Sequence, residues 1–261
     1  DIKGKAANMP VFRLLGGEKS RIPVYATGGY LKKGAPITAC AAELKAFIDQ
    51  GYTAVKLKVG HHTLEEEVKR VKATREAIGD AMLMLDMNAC YDLNECIHFA
   101  KAVEPFNLTW LEEPLHWYLQ PADFAKLAEA TSIPIAHGER LFDRFTARDF
   151  IENGGIKFIQ FDSTRHSGFT EHLRIAHMAE QNGIFIAPHL APEMHGHLVS
   201  AFPRAGFIAE SHGDPDRNPL WHGGLFAKKA EIKDGYLHLN ESAGFGYDID
   251  WNFVAKYRVN Q

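Results

Sequence analysis

Cysteine is scarce: Cys40, Cys90 and Cys96 are the three in 261 residues, they form no C-x-x-C pair, and their number is odd. A disulfide framework is therefore not expected, and a reducing cytoplasm is the expected setting. No apolar run approaches the roughly 20 residues that a bilayer span needs, and no signal-peptide pattern stands at the start. Neither sign of charge dominates, since 29 Lys and Arg face 33 Asp and Glu for a net of −4, mixed along the chain. That gives no electrostatic case for nucleic acid or an acidic membrane as partner. Low-complexity tracts and long linkers are also missing. So is the G-x-G-x-x-G turn that a dinucleotide-binding open sheet would carry after its first strand.

What is present is an ordinary globular composition, 46% hydrophobic, with enough apolar material for a sizeable core. The length fits one large barrel domain or two small domains. The chain starts at Asp1 without a methionine, and DIKGKAANMPVFRLLGG reads as a short helix stopped at Gly16-Gly17. A helix with nothing ahead of it to pack against leads us to expect a preceding part.

From residue 21 onward, strand-like apolar runs alternate with amphipathic helical ones. The strands are expected at 21–29, 52–60, 81–88, 108–115, 133–139, 157–163, 184–189 and 206–210. Thr63 with Glu66, and Asp92 with Glu95, have capping-box spacing at two helix starts. Leu64, Val68, Val71 and Ile78 form the apolar stripe of the first of these helices, and Gly79 stops it. Pro121 suits the first turn of another. Eight strands and seven helices at about 25-residue spacing point to an α/β, TIM-like (β/α)7β barrel. Asp234-Gly235 in KKAEIKDGYLHL signals a hairpin. The expected organisation is a linker helix over 1–20, the barrel over 21–210, and a C-terminal extension over 211–261 that reads as a surface segment.

Polar residues interrupt the strands at their C-terminal ends: Lys56 and Lys58, Asp86, Glu112, Glu139, Asp162, His189 and Glu210. In a parallel barrel these ends share one mouth, where barrel active sites are built. Asp86, Glu112 and Glu139 come from three consecutive strands. Three converging carboxylates call for a hard cation such as Mg²⁺, and the set lacks the His or Cys donors of zinc. In K-L-K the two lysines share one strand face. At about 6–7 Å and an effective dielectric near 20 they repel by about 2–2.5 kcal/mol, so Lys56 is expected to lower the pKa of Lys58 towards that of a usable base. The alternative is a solvated K-x-K on an edge strand. His189 next to Asp162 on the neighbouring strand makes a second acid/base, the Asp orienting the imidazole and stabilising its charged form.

VKLKVG, LDMNA, WLEEPL, AHGE, FDSTRHSGFTE and APHLAPEMHGHL, with the opening DIKGKAANMPVFRLLGG, resemble the barrel domain of the enolase superfamily in its mandelate racemase subgroup. The resemblance runs from residue 1 to about 250. It implies one Mg²⁺ held by Asp86, Glu112 and Glu139, a base Lys58 on one face of the substrate, and His189 with Asp162 on the other. It also implies that Glu210 hydrogen-bonds the substrate carboxylate and that Asn88 lies beside metal and substrate. Members carry an N-terminal α+β cap of roughly a hundred residues that closes the mouth and selects substrate. This chain is expected to begin just after that cap, so the activity belongs to the parent protein and the fragment alone is expected to be poorly active or inactive. Arg140 and His116, which follow ligand-bearing strands, are candidate substrate contacts. His195 and His197 lie two apart on an expected helix, do not share a face, and read as structural. Cys90 reads as packing, and His61-His62, after the second strand, read equally as substrate contacts or as a solvated loop.

The expected function is Mg²⁺-assisted removal of the proton α to a carboxylate, followed by loss of a β-hydroxyl, turning a sugar acid into a 2-keto-3-deoxy acid. The rivals are racemisation or epimerisation of a 2-hydroxy acid by the same pair of bases, a non-catalytic barrel, and a zinc hydrolase. A homo-oligomer is expected.

Overall fold

The computed structural model describes residues 1–30, 34–165, 167–213 and 224–259. Eight parallel strands form its centre: β1 (Arg21–Gly28), β2 (Ala54–Lys58), β3 (Met82–Asp86), β4 (Leu108–Glu112), β5 (Ile135–His137), β6 (Phe158–Ile159), β7 (Phe185–Ile186) and β8 (Ala209–His212). Each pairs with the next as far as β7, and β8 pairs with β1, in register from Val24 opposite Ala209 to Thr27 opposite His212. The seam between β7 and β8 is a bridge from Ile186 to Gly206. Two short helices, α1 (Ile2–Ala6) and α2 (Val11–Leu14), precede the barrel. Seven helices connect the strands: α3 (Thr38–Asp49), α4 (Leu64–Ile78), α5 (Leu93–Val103), α6 (Pro121–Ala130), α7 (Arg144–Asn153), α8 (Gly168–Gln181) and α9 (Pro192–Ala201). This is the (β/α)7β barrel expected from the alternation.

One residue from each strand or its immediate flank fills the barrel interior: Tyr25, Ala54, Met84, Trp110, Ala136, Phe158, Ala187 and Ile208, all buried. Large and small side chains are mixed around this ring, so the bulk of Trp110 and Phe158 fits beside Ala136 and Ala187. Trp110 meets Tyr25 edge-on at 5.5 Å and Phe158 at 4.9 Å. Because side chains alternate along a strand, the next inward residues stand one layer higher. These are Thr27, Lys56, Asp86, Glu112, Gln160 and Glu210, and all are buried. The apolar plug thus forms the floor of a polar chamber.

Both expected capping boxes form, at Thr63 with Glu66 and at Asp92 with Glu95. The stripe expected on α4 holds except at its first residue, with Val68 partly buried against the core. Val71 and Ile78 are buried, but Leu64 is 47% exposed. Glu67, Arg70 and Thr74 also turn inward, and polar groups beyond the strand ends need Glu67 and Arg70 as partners. The opening segment is two helices rather than one. Asn8, at φ 49°, breaks the chain ahead of Pro10, and a proline disfavours helical geometry in the residue before it.

The tail departs from a surface extension. β9 (Glu231–Lys233) and β10 (Tyr236–His238) make the expected hairpin on Asp234-Gly235, both at positive φ. β10 then pairs antiparallel with β1, Arg21 opposite His238. Leu237 and Leu239 are buried with Phe12, Ile22, Val24 and Val199. This apolar cluster joins the hairpin, α2 and α9 to the outer side of β1 and β8, so the hairpin, unlike the last helix, is part of the core. A last helix, α10 (Trp251–Lys256), follows. No described helix is long and apolar enough to cross a membrane.

Candidate active site

Asp86 and Glu112 end β3 and β4, directly opposite each other in register. Glu139 follows β5, after Gly138 at φ 132°, and a Cβ at that glycine would crowd the backbone of Gln160 and Phe161. One oxygen from each of these three buried carboxylates lies within 4.8 Å of the others, and this is the one such group among the described residues. All are hard oxygen donors, and the geometry brings them to one point. The donor set therefore fits a divalent cation of the Mg²⁺ type better than zinc. WLEEPL offers two acids, and the backbone separates them. Glu112 faces inward, whereas Glu113, at φ 41°, turns outward to accept the Gly138 N–H at 2.8 Å and to sit 3.0 Å from His137 Nδ1. Glu113 so fastens the end of β4 to the turn that presents Glu139.

Partners from the same and neighbouring strands hold the carboxylates. Glu112 Oε2 accepts from Trp110 Nε1 at 2.9 Å and Gln160 Nε2 at 2.8 Å, while Oε1 pairs with Lys56. Burial, with Asp86 and Glu210 close by, pushes Glu112 up to about 8 against the pull of Lys56. Burial also opposes the charge on Asp86, but Lys58 and Lys56 outweigh it and hold that carboxyl at about 2. Glu139 Oε1 lies 3.3 Å from Arg165 Nη1 and 3.5 Å from Arg140 Nε. Neither Gln160, Trp110 nor Arg165 was singled out from sequence. Only the inward alternation FIQFD after β6 could have pointed to Gln160.

The two lysines have different surroundings. Lys56 is fully buried between Glu112, Glu210 at 2.8 Å and Asp86 at 3.5 Å, with Tyr25 Oη at 3.5 Å. Its ammonium is held well above the usual range, because these negative neighbours outweigh its burial. Lys58 stands one step nearer the mouth, paired with Asp86 and donating to Asn88 Oδ1 at 3.1 Å. Its pKa is raised, which corrects the expected lowering. Burial and Lys56 do push it down, but Asp86, Tyr30 and Glu112 together push it up by more.

On the opposite arc, His189 Nδ1 lies 2.9 Å from Asp162 Oδ2, and Nε2 lies 3.3 Å from Glu139 Oε2. Burial disfavours the imidazolium, yet Asp162, Glu210 and Glu139 together raise its pKa. Asp162 is itself held well below the usual carboxylate range, since His189, His195 and Thr164 outweigh its burial. Glu210 is not turned freely to the mouth. It pairs with Lys56 and accepts from Thr27 Oγ1 and from the Leu190 N–H at 3.0 Å. Leu190 follows His189, so Glu210 also fixes the turn that carries the imidazole.

Asn88, at φ 45°, donates its N–H to Asp86 Oδ1 at 2.9 Å. The guanidinium carbon of Arg140 lies over Trp117, 3.6 Å from the ring centre, and His116 Nδ1 lies 2.8 Å from the Ala89 carbonyl. Cys90 packs beside Gly60, and burial raises its thiol to about 12. His195 and His197 diverge as expected of a helix. His195 contacts Ser163 and the Leu190 carbonyl, whereas His197 accepts the Phe12 N–H at 3.0 Å.

Residues 39–253 match the family described as enolase C-terminal domain-like. The chain is 33% identical to L-talarate/galactarate dehydratase of Salmonella typhimurium over 251 residues, covering 95% of this chain and 60% of that enzyme. It is 30% identical to arabinonate dehydratase of Saccharolobus solfataricus, covering 99% of this chain and 69% of the relative. A mandelate racemase/muconate lactonizing enzyme from a marine actinobacterium, solved in complex with magnesium, superposes with a TM-score of 0.90 at 31% identity, covering 98% and 72% of the two chains. L-talarate dehydratase from Polaromonas sp. JS666, complexed with Mg and L-glucarate, gives 0.87 at 34% identity, covering 97% and 68%. The chain belongs to the enolase C-terminal domain-like family, in the mandelate racemase subgroup of the enolase superfamily.

Proposed function

We propose that the protein removes the proton α to the carboxylate of a sugar acid and expels the β-hydroxyl, giving a 2-keto-3-deoxy acid. One observation carries the reading: three buried carboxylates meet within 4.8 Å, with Lys58 on one flank and the Asp162–His189 pair on the other. Relatives named as dehydratases of talarate, galactarate and arabinonate support the substrate class. Neighbours solved with magnesium support the metal.

Asp86, Glu112 and Glu139 would hold one Mg²⁺. When bound, the ion supplies electrostatic stabilisation of negative charge building on the substrate carboxylate. Lys58 Nζ would take the α-proton in its neutral form, reached when a cation on Asp86 offsets the charge that holds the ammonium, while Asn88 Oδ1 accepts from it and orients it. His189, protonated and aligned by Asp162, delivers a proton to the departing hydroxyl. Lys56 keeps Glu112 and Glu210 charge-balanced below the site and takes no proton itself. Arg140 and Arg165, each about one-third exposed at the rim, meet substrate oxygens.

The test is a panel of sugar acids offered to the full-length protein with Mg²⁺ in D₂O. The expected result is a 2-keto-3-deoxy product carrying solvent deuterium at C3. Deuterium exchange with inversion and no keto acid would replace dehydration by epimerisation, and zinc-dependent hydrolysis would overturn both.

A further inference from the structure

Glu67 and Arg70, three apart on α4, form an ion pair at 2.6 Å with both side chains almost fully buried. Neither residue touches the chamber, so the proton-transfer reading leaves them without a part. The atoms they hold are informative. Arg70 Nη2 donates to two carbonyls at 2.8 Å, those of Gly29 and Lys58. These lie at or just past the ends of β1 and β2, where the strand ladder stops at Gly28 opposite Leu57. Glu67 Oε1 accepts three successive N–H groups, of Gly60 at 2.8 Å, His61 at 3.0 Å and His62 at 3.2 Å. One guanidinium and one carboxylate thus replace the hydrogen bonds that β1 and β2 lack once they separate. The gathered turn follows Lys58 immediately. Gly60, at φ 99°, is packed so that any Cβ would strike Cys90 Sγ. Gly29 is followed by Tyr30, whose ring centre lies 5.5 Å from Lys58 Nζ.

We propose that the Glu67–Arg70 pair is a positioning device for Lys58. It fixes that residue's carbonyl and the three peptides after it, and so fixes where the ammonium stands relative to Asp86 and Asn88. This rests on the reading of Lys58 as the base. An arginine is required because its planar fork serves the carboxylate and both carbonyls at once, whereas a lysine offers one point charge.

The experiment compares the full-length, Mg²⁺-loaded protein with Arg70→Lys, Arg70→Met and Glu67→Gln. The expected result is a fall in kcat of about 10²-fold for a base displaced by around 1 Å, with KM and Mg²⁺ affinity changing by less than about threefold, since no substrate or metal contact is removed. Arg70→Lys keeps the charge and should not restore kcat. In Glu67→Gln the amides of 60–62 should exchange with deuterium faster, while peptides from β5 to β7 exchange as before. Wild-type kcat in a folded Arg70→Met or Arg70→Lys variant overturns the proposal. So does a loss of kcat accompanied by an equal loss of Mg²⁺ affinity. If Arg70→Met does not fold, Arg70→Lys and Glu67→Gln decide. If the wild type abstracts no proton from any acid, the proposed function fails on its own. The positioning is then decided by a crystal structure of Arg70→Lys, in which Lys58 Nζ displaced by less than about 0.5 Å overturns it.

Discussion

Lys56 Nζ lies 2.8 Å from Glu210 Oε1 within the chamber, and neither side chain reaches solvent. Lys58, two residues on, has a side chain 10% exposed at the mouth. One strand thus carries a structural cation and a reactive one. Lys56→Met should leave Glu112 and Glu210 buried without their cation, costing about 3–5 kcal/mol of stability. Lys58→Met should abolish α-proton exchange with little change in melting temperature, because Asp86 keeps Lys56. Paired melting curves and D₂O exchange check both. A Lys56→Met protein as stable as wild type would refute this division.

Asp162 gives the second prediction. His189 works as an acid only while protonated, so activity is lost as pH rises through its pKa. Burial lowers that pKa, but the Asp162 hydrogen bond and the Glu210 and Glu139 charges raise it by more. Asp162→Asn removes the first of these opposing contributions. The alkaline limb of the rate profile should then move to lower pH and kcat should fall by about 10²–10⁴-fold. Unchanged limbs in a pH–rate series would exclude His189 as the acid.

The barrel and the inward acids were legible because both follow from strict alternation. A polar residue closing an apolar strand has one place to go, and Asp86, Glu112, Asp162 and His189 obey that rule, whereas Glu139 is out of phase with Ala136 and reaches the site through the turn at Gly138. Glu67 and Arg70 were not legible. Polar residues on an amphipathic helix are read as solvated, and only the positions of Gly29, Lys58 and the turn after it draw them inward. Lys58 was misread for a related reason. Its lysine neighbour is adjacent in sequence and visible there, whereas its stronger partner Asp86 lies across the strand ladder. The hairpin was misread as surface because Leu237 and Leu239 look like any short hairpin until β1 offers an edge.

Gln160 gives the third prediction. Its Nε2 and Trp110 Nε1 share Glu112 Oε2, orienting the carboxylate towards Asp86 and Glu139. Gln160→Leu keeps the volume and deletes one donor. Mg²⁺ affinity by calorimetry should fall by about 10–100-fold, as for other partners that orient metal ligands. The fold should be retained, because the ring of Tyr25, Trp110 and Phe158 is untouched. An affinity equal to wild type would mean that Trp110 alone sets the carboxylate.

His197 predicts how stability depends on pH. Buried in α9, it accepts the Phe12 N–H on Nδ1 at 3.0 Å and lies 3.3 Å through Nε2 from the Phe245 carbonyl, tying α2 and the tail to the barrel. Burial lowers its pKa from 6.5 to about 4. Between those values the unfolded chain binds a proton that the folded one refuses. Stability from this group is therefore complete above pH 6.5 and is lost as pH falls towards 4. The loss amounts to about 3 kcal/mol, from about 1.4 kcal/mol per unit. Protonation would also put a donor where Phe12 needs an acceptor, so α2 should loosen first. Urea melts at pH 7.5, 5.5 and 4.5 on wild type and His197→Gln measure the effect. The variant should start less stable and show a shallower decline below pH 6.5, and parallel declines would show that other groups govern the acid limb.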